Sequence, residues 1–138
     1  MTGIACSNRR SDLEAEISRA LIHFEKEFMG RGPVETRTYC LDDMILIRLK
    51  GVLTPSEQKL VQANSSRSAY LLKQVRNELL SSGRPMLEAL LKDILNVGVL
   101  SIHTDISTKT GERVIVITLE EKLDFSASEN GRSSTSRN

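Results

Sequence analysis

Between Leu13 and Phe28 the apolar side chains Leu13, Ile17, Ala20, Leu21, Phe24 and Phe28 follow a 3.6-residue period, which predicts a helix with one buried stripe. Ser11 and Glu14 have the spacing of a capping box and place the helix start at Ser11. Gly30 and Gly32-Pro33 end it, since glycine takes the left-handed exit and Pro33 has no amide hydrogen to donate. Alternation then replaces the helical period over Val34–Leu41 and Met44–Lys50, two strands joined at Asp42-Asp43. In the second of them Ile45, Ile47 and Leu49 point one way, with Leu46, Arg48 and Lys50 opposite.

Thr54-Pro55-Ser56-Glu57 opens the next helix with an N-cap Thr, Pro at the first helical position and Glu at the third. Asn64, Ser65 and Ser66 predict a turn into a longer helical region. Its stripe reads Leu72, Val75, Leu79, Leu87, Leu90, Leu91, Ile94 and Leu95. Pro85, after Gly83-Arg84, forfeits the bond to the carbonyl of Ser81, so a kink or short break is expected there. Asn96 and Gly98 end the region. Over residues 97–123 two runs rich in Val, Ile and Thr flank the polar loop Ser107 to Glu112, with Gly111 available for a positive φ, and this is a hairpin pattern. On its second run Ile115, Ile117 and Leu119 face one way and Val114, Val116 and Thr118 the other, so both faces are largely apolar.

These elements read helix, hairpin, helices, hairpin. They imply an α+β fold, a two-layer sandwich with a four-stranded antiparallel sheet from two hairpins and the helices on one face. A split barrel is the alternative, and the strand order between the hairpins is not readable. The expected organisation is a flexible leader over 1–10, one domain over 11–125 and a disordered tail over 126–138, where SASENGRSSTSRN has little to bury. The expected core joins Leu13, Ile17, Phe24, Ile45, Ile47, Leu72, Val75, Leu90, Ile94, Leu100, Ile102, Ile115 and Ile117.

Composition narrows the function classes. With 19 basic and 18 acidic residues the formal charge is +1, too small for a global field that would collect nucleic acid or an anionic membrane. Aromatics make up 4% and Trp is absent, so no stacking platform for nucleic acid is expected. No apolar run approaches the roughly 18 residues of a spanning helix, and MTGIACSNRR lacks the apolar core of a signal peptide. The expected place is the cytoplasm, at most peripheral to the inner face of the membrane. Cys6 and Cys40 make neither a disulfide framework nor a cysteine zinc site, and Cys40 reads as a structural thiol in a strand.

Candidate chemistry is sparse. If Leu100, Ile102, Thr104 and Ile106 are the inward set, His103 faces outward beside Ser101 and Asp105. An acid/base role for His103 and Asp105 is conceivable, but a solvated or interface histidine explains the same residues. Arg31, Arg37, Arg48 and Arg113 cluster around the hairpins, and Arg37 and Arg48 can share the open sheet face with His103. Such arginines suit a small anion, or simply pair with Glu35, Asp105 or Glu112. Lys109-Thr110-Gly111 lacks the second glycine and following helix of a phosphate loop. The reading is therefore no catalytic residues, no metal site and no cofactor. Arg37, Arg48, His103, Asp105, Val114 and Val116 are the interface or ligand candidates.

Three segments in order, Glu25 to Pro33, Met44–Gly51 running into Leu53-Thr54-Pro55, and His103 to Glu112, resemble the MpsC-like family of small bacterial proteins over about residues 13–123. The family is named for a component of a Na+-translocating, membrane-potential-generating system linked to inorganic-carbon uptake. The resemblance implies an accessory role beside membrane subunits; it does not imply catalysis and offers no family active site to carry over. The expected partners are a second copy of the chain or membrane subunits that it meets as a soluble protein, with no nucleic acid and no insertion into the bilayer.

Overall fold

Strict alternation builds a sheet whose two faces differ in kind. The computed structural model describes residues 2–62 and 66–125 and contains the strands β1 (Glu35–Leu41), β2 (Met44–Lys50), β3 (Val99–Ile106) and β4 (Arg113–Leu119). The helices are α1 (Thr2–Met29), α2 (Pro55–Gln62) and α3 (Ser66–Leu95). The expected turn at Asn64-Ser65 and the expected disordered tail from Ser126 lie outside the described residues. All strand pairs are antiparallel, in the order β1-β2-β4-β3. The second strand of each hairpin is thus central.

Ile45, Ile47 and Leu49 of β2 and Ile115, Ile117 and Leu119 of β4 are buried against α1 and α3, which contribute Ile17, Leu21, Phe24, Leu72, Leu80, Leu87 and Leu91. The protein is a two-layer α+β sandwich, as its periodicity implies. Gly111 takes φ +75° in the β3–β4 loop, where its amide donates to the Ser107 carbonyl at 2.8 Å. Asn96 leaves α3 at φ 58° with its amide on the Lys92 carbonyl at 2.8 Å. The capping box of α2 forms in both directions. The Thr54 amide donates to Glu57 Oε1 at 2.8 Å, and the Glu57 amide to Thr54 Oγ1 at 3.2 Å.

Four expectations need correction. First, α1 does not start at Ser11; it runs back to Thr2, so residues 2–10 are helical. No glycine or proline between Ile4 and Met29 stops it, and Glu14 accepts from the Cys40 amide at 2.8 Å instead of closing a capping box. Second, α3 passes through Pro85 without a break. Third, Val75 is 54% exposed, because the inward stripe of α3 is Leu72, Arg76, Leu80, Gly83, Leu87, Leu91 and Leu95. Fourth, Leu100 is 66% exposed, because the register shifts between Val99 and Ser101 and ejects it. Cys40 is buried and free, and burial above all pushes its thiol up to about 12, which suits a structural role; the Cys6 side chain lies outside the described residues.

Gly83 explains why the helix survives its proline. A Cβ at Gly83 would sit 2.8 Å from Phe24 Cε1 and 3.1 Å from Phe28 Cδ1, so α1 and α3 touch backbone to ring at this point. The packing of two aromatic rings on the Gly83 turn holds α3 in register across the missing Pro85 bond. Helix propensity alone would make Gly83→Ala stabilising by about 1 kcal/mol. The contact reverses the sign. We expect Gly83→Ala to lower the urea midpoint while Ser82→Ala, on the exposed side, does not; a raised midpoint for Gly83→Ala would show that the helices separate at little cost.

Candidate functional site

Residues opposite one another in the ladders share a face, so the registers map the open side of the sheet directly. One row across it reads Arg37, Arg48, Val114, Asp105. The next reads Tyr39, Leu46, Val116, His103, and the third Leu41, Met44, Thr118, Ser101. All six candidate residues therefore lie on this one face, which no described helix covers. Tyr39 is 37% and Leu41 44% exposed.

The candidates do not converge on one pocket. Arg37 is on one edge strand and His103 on the other, three strand spacings or about 14 Å apart. Two shallow hollows result. One of about 170 Å³ is lined by Glu35, Arg37, Tyr39, Arg48 and Lys50. The other, about 200 Å³, is lined by His103, Thr104, Asp105, Val114 and Val116. Arg37 Nε donates to Glu35 at 2.8 Å and Arg48 Nε to Glu112 at 2.5 Å, and both hydrogen bonds hold the carboxyls below their ordinary range. Asp105 accepts from the Ile106 amide at 2.9 Å, which together with Lys73 Nζ at 3.3 Å keeps it low. His103 Nε2 lies 3.1 Å from Ser101 Oγ. His103 and Asp105 thus turn to different partners.

Sequence reading missed a second polar cluster, inside the core. Glu25, Arg76 and Arg113 are each at most 1% exposed. Arg76 Nη2 donates to Glu57 Oε1 at 2.6 Å and to the Val52 carbonyl at 2.8 Å, and its Nε to Glu57 Oε2 at 3.1 Å. Glu25 sits 3.7 Å from Arg76 Nη1 and 3.9 Å from Arg113 Nε, ion-pair distances that make no hydrogen bond. Arg113 Nη2 reaches the Arg76 carbonyl at 3.5 Å. Burial pushes the Glu25 carboxyl up, against the pull of Arg113 and Arg76, and burial also draws Arg113 down. In Glu57 the upward push of burial is outweighed by the combined bonds from Arg76 and Thr54, which leave it low. A signal was present. Glu25 follows Leu21 by four residues, Arg76 follows Leu72 by four, and Arg113 is in phase with Ile115 and Ile117, so each is a charge at an inward position.

Among the described residues no group of three His, Cys, Asp or Glu side chains is placed to hold a metal ion, and no helix is long and apolar enough to cross a membrane. Fold and face together define a small α+β protein with one sheet surface left open. The chain belongs to the family described as the Na+-translocating membrane potential-generating system (MpsC), which matches residues 9–121. It is similar to the uncharacterized protein YbcI of Bacillus subtilis (strain 168), with 41% identity over 115 residues, 83% of this chain and 91% of YbcI. No solved structure matches it.

Two predictions follow the buried cluster. Arg113→Leu strips Glu25 of a partner and should cost about 3–5 kcal/mol, most of which Glu25→Leu in the same chain should restore. Additive losses in chemical denaturation would mean the two charges are not coupled. The pH dependence separates the carboxylates. Glu25 binds its proton more tightly folded than unfolded, so its contribution falls as pH rises from the ordinary carboxylate value through its raised one. Glu57 has the opposite sign: its contribution is present above the ordinary value and is lost as pH falls through its lowered one. Glu25→Gln should flatten only the upper slope in urea midpoints taken between about pH 3 and about pH 8. An unchanged upper slope would assign it to another group.

Proposed function

We propose that this protein is a non-catalytic accessory component that acts by docking onto protein, in the setting of a membrane Na+-translocating or inorganic-carbon uptake system. The observation that carries the reading is the open sheet face. It presents Tyr39, Leu41, Leu46, Val114 and Val116 in adjacent rows, and a contiguous apolar sheet surface of this kind is ordinarily an interface. The family's description supplies the setting. On this reading the chain meets such a system through its surface, on the cytoplasmic side; no described helix is long and apolar enough to span a bilayer.

The arrangement of polar groups agrees with binding better than with turnover. His103 Nε2 has the Ser101 hydroxyl at 3.1 Å, but Asp105 turns to the Ile106 amide and Lys73, so no carboxylate orients the imidazole behind that hydroxyl. A second reading, a small-anion sensor, is favoured by the hollow where Arg37, Arg48 and Lys50 face one carboxylate, Glu35.

The test substitutes Lys for Val116, which puts a charge in the middle of the face without touching the core. Tagged protein purified from detergent-solubilised membranes of its own host should bring Na+-translocating subunits with it. Val116→Lys should lose them by about tenfold or more while keeping the parent melting temperature. Equal recovery with both forms would remove the face from the contact. Bicarbonate binding in calorimetry that Arg48→Met abolishes would favour the sensor. Turnover of bicarbonate, a nucleotide or a phosphoester that His103→Ala abolishes would overturn the non-enzyme reading.

A further inference from the structure

The charges on the open face are divided between its halves. Arg37 and Lys50 stand on β1 and β2, Asp105 stands on β3, and Glu112 directly precedes β4. Because the strand order is β1-β2-β4-β3, one half of the face is biased basic and the other acidic, with Glu35 as the exception held by Arg37. The middle rows between them are filled by Tyr39, Leu46, Val114 and Val116. Such a surface is complementary to itself.

We infer that this face closes against a second copy of the chain, about a twofold axis that lies in the contact plane, parallel to the strands and midway between β2 and β4, with Arg37 of each copy paired to Asp105 of the other. This deepens the docking reading above and rests on it. The axis lays β1 of one copy over β3 of the other and β2 over β4, row on row. Arg37 meets Asp105, Lys50 meets Glu112, and Arg48 lies over Val114 with its charge still held by Glu112 of its own chain. Tyr39 meets His103 and Leu46 meets Val116 in the next row. The same operation exchanges the two hollows, of about 170 and 200 Å³, so each copy offers Asp105 to the basic hollow and Tyr39 to the apolar one.

The competing twofold, across the strands, lays each strand on its own copy. That sets the Glu35–Lys50 row against Leu41 and Met44 and buries charge on apolar side chains. An isologous contact must satisfy every pair twice, so the first axis gains both charge matches twice over and the second loses twice. In the single chain Arg37 is held by Glu35, Asp105 by Lys73 and Glu112 by Arg48, so the contact across the axis adds to existing pairs, with Lys50 joining the Arg48–Glu112 pair of the other copy.

Size sets the strength. Four strands about 4.8 Å apart and seven residues of about 3.3 Å each give a footprint of about 450 Å² per copy, so about 900 Å² in total. That is below the roughly 1,600 Å² of a standard stable interface. The pairing is therefore reversible and depends on concentration.

Sedimentation equilibrium of the full chain between about 1 and about 300 µM tests it, a range that brackets the affinity of small interfaces. The mass should rise from one chain to two, less so in high salt. Arg37→Asp and Asp105→Arg should each weaken dimerisation about tenfold or more at unchanged melting temperature, and the double variant should recover to within about threefold of the parent. A parent that stays a single chain throughout overturns the inference, and so does a double variant that fails to recover. The docking reading fails separately. If the parent is monomeric yet Val116→Lys still loses the membrane subunits, the twofold is wrong and docking stands. A salt-sensitive dimer rescued by the charge swap, with subunit recovery indifferent to Val116→Lys, keeps the twofold and removes the membrane partner.

Discussion

One guanidinium ties the elements of this fold together. Arg76 leaves α3 at a fully inward position and bonds both oxygens of Glu57 on α2 and the carbonyl of Val52 in the segment that follows β2. Glu25 of α1 faces it, and Arg113 of β4 reaches its carbonyl. Three helices, a linker and a central strand thus share one charged centre. The carboxylate of Glu57 also caps its own helix, so the N-terminal turn of α2 and the seat of Arg76 form together. A buried charge without a partner costs several kcal/mol, which makes this arrangement intolerant of alternative packings of α2. Hydrophobic burial supplies the bulk of the driving force, and any packing that separated Arg76 from Glu57 and Val52 would leave its charge buried and unpaired.

The sheet shows how the same chain limits where it can associate. β1 and β3 are its edges, and exposed edges pair with foreign strands. On β1 the Cys40 amide is taken by Glu14 of α1, and Thr38 Oγ1 lies 2.7 Å from Ser18 Oγ, so the first helix screens that edge. On β3 the bulge at Leu100 interrupts the ladder, and the Asp105 carboxylate lies with Lys73 across from it. Both edges are thereby blunted. The open face differs from both edges in that it offers side chains and no unpaired backbone groups.

Much of this was legible in the amino-acid sequence, for physical reasons that also mark the failures. The hairpins, the Thr54–Glu57 cap and the inward sets of β2 and β4 follow from short-range rules, and the open face follows from period-two alternation in β4. The start of α1 does not, because Ser11 and Glu14 have capping spacing but a chain with no breaker upstream simply continues, and Glu14 has a tertiary partner. Pro85 predicts a break that the rings packed on Gly83 prevent. Hydropathy alone sends Val75 inward and an arginine outward, yet the i+4 spacing from Leu72 puts Arg76 inside and leaves Val75 exposed. Its partners Glu25 and Arg113 are far apart in sequence, and only the packed helices bring them together. Strand order was unreadable for the same reason.

Charge on the open face is confined to one end of it. Arg37 and Arg48 are direct cross-strand neighbours, a like-charge pairing that is unfavourable on a bare sheet. Glu35 and Glu112 relieve it from either side. The four side chains form a charged border at the end of the sheet farthest from Leu41 and Met44, and the apolar rows lie beyond that border. An arriving surface must match the border to reach the apolar rows, since a mismatched one strands these charges out of water. The core inverts this arrangement: there Glu25, Arg76 and Arg113 sit in the middle among apolar side chains, whereas on the face the charges sit at the margin and the apolar rows beside them.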